Sequence, residues 1–393
     1  MGAGAHPVDG GNRSVSAEGI VAVVGALQGL GIPAADQQPG KAYYYGMVCG
    51  GVEMIKTLSM CSECYARIPA EIFFKDGAAW MRKTCDVHGV IEALVDPDSS
   101  IVTNHYNTTT MGVNKAILVP VTDGCNMSCS WCYTHEVKTP MRSAEYYHNK
   151  LIDLYVRGFA ILLSGGEPTI RQDFFKLVNE LKNNGWPVVT MSNMLRFADP
   201  AFVAECTRTG LVTSNNTLLA DFSMQHPKNY SGEIAAQKYA ALANLERYGL
   251  KANCIQFSIS DVSEMGWIRK FYDDTKHLYH HMRIRSLYGF WKDDSEKIYL
   301  SQLYAGFKQY FDDLTPLVTM HPESSNIYSM YLKTAHCGIS LSSSPTVHNV
   351  DLLSCRRPTY ALALDGKYYS FPVAQIVSEG IQKGWYNGFQ IKE

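Results

Sequence analysis

Three cysteines in one short loop, Cys125-x3-Cys129-x2-Cys132, carry the most specific chemistry of this chain. Thiolates at that spacing hold three irons of a cubane cluster and leave the fourth iron without a protein ligand. A structural site is closed, whereas a vacant coordination position is where a substrate or cofactor binds the metal. The bland alternative for the triplet alone is a structural zinc knuckle or an inert cluster. The stretch Ala160-Ile-Leu-Leu-Ser-Gly-Gly-Glu-Pro168 favours the open site, because an apolar strand there ends in two glycines, which let backbone approach a ligand closely, and one acid. A second set, Cys61-x2-Cys64 and Cys85-x2-His88, sits at the ends of a predicted hairpin: Ala70–Lys75, a turn at Asp76-Gly77, and Ala78–Lys83. It brings four ligands to one tetrahedral point with every position filled, which is a structural arrangement. Zinc and a single iron both suit three thiolates and one imidazole.

The cysteine triplet, Trp131 just before its last cysteine, and the strand end Gly165-Gly166-Glu167-Pro168 together resemble the signature of the radical S-adenosylmethionine (SAM) superfamily. The resemblance implies a [4Fe–4S] cluster whose open iron is chelated by the amino and carboxylate groups of SAM. It further implies that the Gly-Gly-Glu-Pro strand end contacts that amino group, with Glu167 as acceptor. Reductive cleavage of SAM would then give a 5′-deoxyadenosyl radical that abstracts hydrogen from a substrate carbon, with an electron donor such as flavodoxin or ferredoxin. The cofactor supplies this chemistry, and the protein supplies orientation and exclusion of water. The N-terminal ligand set is similar to the rubredoxin-like module preceding the radical SAM core in the family of tetraether-lipid synthase and the pterin-associated radical SAM methylases.

The elements that must position these residues alternate between strand and helix. Strands are predicted at Ala116–Thr122, Ala160–Ser164, Pro187–Met191, Leu218–Ser223, Ala252–Ile259 and Met282–Leu287. Helices are predicted at Ser143–Arg157, Gln172–Asn184, Pro200–Arg208, Glu233–Tyr248 and Met265–Leu278, with Tyr299–Phe311 as an aromatic-rich helix beyond the alternation. Six short apolar strands in such units predict an α/β fold with a parallel sheet. The resemblance makes it a partial (β/α)6 barrel with a small N-terminal metal-binding β-hairpin module and a C-terminal capping extension. Function in such barrels gathers at the carboxyl ends of the strands. Candidates there are Ser192, Asn193, Ser223 and Gln225 as SAM contacts, and Ser260, Asp261, Arg283, Arg285 and Ser286 toward SAM or substrate. Ser, Asn and Asp at such places serve as turn or cap residues just as readily.

The domain plan read from the 393 residues is a low-complexity leader over 1–53, the rubredoxin-like module over 54–100, the radical SAM core over 112–290, and an extension over 291–393 that closes the barrel. Residues 90–114 read as a linker, and Met54 is a candidate translation start. A formal net charge of −2 carries no footprint for a nucleic-acid or anionic-membrane partner. No apolar run reaches the roughly twenty residues that span a bilayer. Eleven cysteines, several in ligand clusters, point to a reducing cytoplasm rather than a disulfide framework. Cys49, Cys206, Cys254, Cys337 and Cys355 read as buried or free thiols. The predicted function is C–H functionalisation, methylation in particular, of a small molecule. The alternatives are a peptide-modifying or lipid-coupling enzyme of the same superfamily, or a non-catalytic iron–sulfur scaffold.

Overall fold

A computed structural model describes residues 54–106, 116–129, 132, 139–212, 218–222, 232–287, 297–314, 319–320, 328–334, 336–343, 346–351, 359–363 and 367–370. All lie within one unit, Gly46–Glu393. The leader, Cys49, Trp131, Ser223, Gln225 and Cys355 fall outside the described residues.

Alternating burial along Ala116–Thr122 (β5 in chain order) sets the pattern of the main sheet: Ile117, Val119 and Val121 are fully buried while the residues between them are half-buried. The following strands repeat it: Ala160–Gly165 (β6), Val188–Ser192 (β7), Leu218–Asp221 (β8), Ala252–Ile259 (β9) and Tyr279–Ser286 (β10). Each pairs in parallel with the one before it. The crossovers are helical: Ala144–Lys150 (α2) and Ile152–Val156 (α3), Phe174–Asn183 (α4), Pro200–Arg208 (α5), Gly232–Arg247 (α6) and Met265–Thr275 (α7). Helix α4 buries Phe174, Leu177, Val178 and Leu181, one face of a 3.6-residue repeat. On β9 the odd-numbered residues face the helices, since Phe257 meets the rings of Trp267 and Phe271 edge-on at 5.8 and 5.2 Å. Ile255, Phe257 and Ile259 therefore join the core with Met282 and Ile284 of β10. The intervening residues Cys254, Gln256, Ser258, His281, Arg283 and Arg285 share the opposite, inner face.

The six predicted units are present, and three features differ from the sequence reading. The helix predicted over Ser143–Arg157 is two helices, broken at Leu151, whose backbone leaves the helical region (φ −119°, ψ 17°). The C-terminal residues prolong the sheet at both edges: Gly338–Ser342 (β13) runs parallel to β10, with Ser329–Lys333 (β12) and Thr319–Met320 (β11) beyond it. On the other side Thr359–Leu362 (β14) runs parallel to β5, followed by Tyr368–Ser370 (β15). The result is an open sheet of eleven strands, with no closed barrel among the described residues. The predicted linker over 90–114 contains a strand, Gly89–Asp96 (β4), and a helix, Ser99–Tyr106 (α1).

That strand completes the N-terminal module. Met54–Met60 (β1), Arg67–Lys75 (β2), Ala78–Cys85 (β3) and β4 form a four-stranded antiparallel meander rather than a lone hairpin. The turn between β2 and β3 has Asp76 and Gly77 both at positive φ (53° and 78°), the backbone of a tight hairpin turn. The module is joined to the C-terminal segment by buried polar groups. Lys83 Nζ donates to Met60 O at 2.5 Å and Val347 O at 2.6 Å, Thr57 Oγ1 to Asp351 Oδ1 at 2.5 Å, and Asn349 Nδ2 to Leu94 O at 2.7 Å. Lys83→Met removes two charge-assisted hydrogen bonds to buried carbonyls, each worth about 1.5–3 kcal/mol. Chemical denaturation should show a midpoint lowered to match, whereas an unchanged midpoint would mean the joint adds nothing to stability.

Candidate metal centres and SAM site

The cluster loop begins where β5 ends. Gly124 N donates to Thr122 Oγ1 at 3.1 Å, and Met127 N donates to Cys125 Sγ at 3.4 Å, a bond that favours the thiolate. Cys132 N donates to Cys129 O at 3.0 Å. All three cysteines are partly exposed, unlike the fully enclosed thiols of the core. Burial, with the nearby charges of Glu167 and Cys132, raises the Cys125 thiol above its ordinary value, so its proton leaves when a metal takes the sulfur.

The strand end after β6 lies directly against this loop. Gly166 N donates to Thr122 O and Glu167 N to Gly124 O, both at 2.8 Å. A Cβ on Gly165 would stand 2.3 Å from Thr122 O, and one on Gly166 would stand 2.1 Å from Gly124 O. The two glycines thus admit the backbone of the cluster loop, a neighbour in the chain as much as a ligand. Gly166→Ala has no room for its methyl and should cost about 3 kcal/mol. Gly232→Ala, at a helical position with nothing within 4 Å, should be neutral or stabilising. Equal melting temperatures for the two variants would refute the crowding.

Glu167 is 1% exposed, and its carboxylate is used within the chain. Oε1 accepts from Thr169 N at 3.1 Å and Thr169 Oγ1 at 2.6 Å, and Oε2 accepts from Asn193 N at 2.6 Å. Burial pushes the carboxyl upward, and these donors pull it back. Glu167 therefore ties the end of β6 to the end of β7, where Ser192 and Asn193 stand. Asn193 Nδ2 donates to Asn126 Oδ1 at 2.7 Å and lies 3.9 Å from Cys125 Sγ, which brings the third strand's predicted pair to the cluster loop. Pro168 opens a single turn, Pro168–Ile170, that Glu167 caps. Ser260 and Asp261 are instead spent on local caps with Glu264 and Ser263, the alternative fate of such residues.

Two residues that sequence reasoning missed support this site. Arg171, 7% exposed, donates to Val121 O at 3.0 Å and Arg142 O at 2.8 Å and pairs with Asp173, fixing the end of β5. Lys238, fully buried on α6, donates to Asp221 O at 2.7 Å at the end of β8. Burial lowers its pKa, opposed by the negative groups Asp221, Cys129, Glu167 and Cys125. Neither had a sequence signal, since a lysine in an amphipathic helix reads as a solvated face. A buried cation beside the cluster thiolates favours added negative charge there, so Lys238→Met should shift the cluster's midpoint potential in the negative direction. A redox titration followed by electron paramagnetic resonance reads this, and an unchanged potential would detach Lys238 from the cluster.

The N-terminal ligands lie at one end of the meander, in the two turns Cys61–Ala66 and Cys85–Gly89. The first is closed by Cys61 N donating to Ala66 O at 2.9 Å, with Tyr65 at φ 60°; the second ends on Gly89 at φ 75°. Cys61 Sγ and Cys85 Sγ each lie 3.5 Å from His88 Nδ1, and Cys64 Sγ lies 3.8 Å from Cys85 Sγ. Tetrahedral bonds of about 2.3 Å to sulfur and about 2.0 Å to nitrogen place ligand atoms about 3.5–3.8 Å apart. The four ligand atoms, within 4.8 Å of one another, therefore fit one metal ion.

Comparison with known families matches both centres. Residues 54–97 match the HMPTM N-terminal zinc ribbon domain, and residues 119–257 match the radical SAM superfamily. The chain thus carries a radical SAM domain behind an N-terminal zinc ribbon domain. A curated relative, the 7,8-dihydro-6-hydroxymethylpterin dimethyltransferase of Methanocaldococcus jannaschii, is 25% identical over 190 residues, covering 40% of this chain and 38% of the relative. A GTP 3′,8-cyclase of Actinobacillus pleuropneumoniae is 33% identical over 79 residues, 18% of this chain and 23% of that protein. The matches thus span well under half the length of these relatives. Among solved structures, Streptococcus suis SuiB bound to S-adenosylmethionine aligns at TM-score 0.45 and 10% identity over 73% of this chain and 69% of SuiB. A radical SAM domain implies a [4Fe–4S] cluster and SAM, which the partly exposed cysteine triplet beside the Gly-Gly-Glu-Pro strand end fits. The zinc ribbon implies a metal site, which the Cys61, Cys64, Cys85 and His88 geometry fits with either zinc or iron. No described helix is long and apolar enough to cross a membrane.

Proposed function

We propose that this protein cleaves SAM reductively and uses the resulting radical to functionalise a C–H bond of a small molecule, with methylation of a pterin-like heterocycle as the favoured form. The observation that carries the reading is the joint between cluster loop and strand end, in which Gly166 N and Glu167 N bond the first residues of the Cys125 loop. Cys125, Cys129 and Cys132 would hold a [4Fe–4S] cluster, which when bound supplies the electron that splits SAM into methionine and a 5′-deoxyadenosyl radical. The chain's own residues do the rest. The Gly165–Pro168 strand end, Ser192 and Asn193, which stand against the cluster loop, would hold the methionine part of SAM. Glu167 and Lys238 place two buried ionisable groups behind it.

The substrate class follows from similarity. The pterin dimethyltransferase is similar over 190 residues, and the family matched at 54–97 is the HMPTM zinc ribbon. The metal of that module, zinc or iron, is given a structural role because all four positions are protein ligands. The nine described cysteines are all free thiols, in keeping with a reducing cytoplasm and a flavodoxin- or ferredoxin-type donor.

The test is anaerobic reconstitution with iron and sulfide, then SAM and a strong reductant, with 5′-deoxyadenosine as product. Wild type should form it and Cys125→Ala should not. A wild type that carries its cluster but yields none, with a pterin present or absent, would overturn the reading.

A further inference from the structure

The inner face of the main sheet changes character from one end to the other. On β5 to β8 it carries mainly apolar residues, Leu118, Pro120, Leu162, Val189, Met191 and Leu219, with Ser164 among them. From β8 onward two rows turn polar. Asp221, Gln256, Arg283 and Ser340 stand at one register level across β8, β9, β10 and β13, and Ser258, Arg285 and Ser342 stand two residues further along. Both arginines point to this face, since the alternate residues Met282 and Ile284 belong to the helix-packed core.

Two guanidinium groups two residues apart on one strand have Cα atoms about 7 Å apart. Ser258 Oγ accepts from Arg285 Nε at 3.0 Å and fixes the plane of that guanidinium. Arg283 is exposed, and among the described residues it has no carboxylate partner. The row beneath is neutral. His281 stacks on Tyr331 at 5.0 Å and bonds Ser340 Oγ through Nε2 at 2.8 Å, and burial, then the Arg283 charge, lower its pKa to about 3. Two guanidinium charges against one carboxylate, Asp221 two strands away in the same row, leave this face net positive, and with hydroxyls and an amide around them they are matched by an anion with several acceptor oxygens, the geometry the guanidinium fork binds best.

We infer that the inner face around Arg283 and Arg285, with Gln256, Ser258 and Ser340, binds an oxyanion, carboxylate or phosphate, carried by the substrate. The methionine carboxylate of SAM is a poor candidate for this place. It belongs at the cluster loop after β5, and β10 lies five strands away, about 24 Å along the sheet. The site deepens the proposed function by naming the charge its substrate bears, and it rests on that reading for calling the ligand a substrate.

The experiment is isothermal titration calorimetry of the metal-loaded chain, anaerobic and without reductant, using inorganic phosphate and malonate as probes. Wild type should bind one of them saturably. Arg283→Gln and Arg285→Gln should each weaken that binding by about tenfold or more, and Arg283→Lys, which keeps the charge but loses the fork, by less. Lys251→Gln, an exposed lysine outside the site, should bind as wild type. Preference for phosphate identifies a phosphoester and preference for malonate a carboxylate. Circular dichroism checks folding, and if Arg283→Gln fails to fold, Arg283→Lys and Arg285→Gln carry the test. No binding of either probe, or arginine variants that bind as wild type does, would overturn the site. Because no turnover is involved, a wild type that binds the anion but forms no 5′-deoxyadenosine sinks the reaction and keeps the site. The converse result keeps the reaction and sinks the site.

Discussion

The approach of one strand end to another, backbone to backbone, is the constraint on which the rest of this structure depends. The carbonyls of Thr122 and Gly124 accept from the amides of Gly166 and Glu167, and Gly165 and Gly166 come so close to those carbonyls that a Cβ would not fit. From that joint the cluster loop takes its starting direction, and Glu167, one residue on, is delivered to the amide of Asn193. Asn193 in turn reaches Asn126 and the sulfur of Cys125. The metal-bearing loop is therefore framed by three strand ends, although its own ligands come from one of them.

What the sequence disclosed depended on how local the signal was. The spacing of Cys125, Cys129 and Cys132 and the run Gly165–Pro168 are contiguous, and β5 and β9 occupy the residues that hydrophobic patterning assigned to them. The two x2 pairs of the N-terminal site were readable for the same reason, and they converge because the turns bearing them lie side by side. Contributions from across the sheet stayed hidden. Lys238 looks like any lysine of an amphipathic helix until the fold closes over it, and Arg171 looks like a surface cation. The strand Gly89–Asp96 was masked by Asp, Pro and Ser residues that follow it, and the edge strands β13 and β14 are short pieces whose partners are distant in sequence. Glu167 was legible as a site residue, but its internal hydrogen bonds were not.

The inner face has a division of labour that follows from strand order alone. β5 to β7 bring the cluster loop, Glu167 and Asn193 together on one side of the run of strands, and β9, β10 and β13 carry Gln256, Ser258, Arg283, Arg285 and Ser340 on the other.

The joint between the N-terminal module and the main sheet has a mechanical consequence. Met60, whose carbonyl receives the Lys83 ammonium, immediately precedes the metal ligand Cys61, and Lys83 stands two residues before Cys85 on the same strand. An ion held by Cys61, Cys64, Cys85 and His88 and the seam would thus share one anchor, so that the hydrogen bonds to Met60 and Val347 brace the ligand turns from behind. Loss of such an ion would be felt across the seam as play in the C-terminal segment.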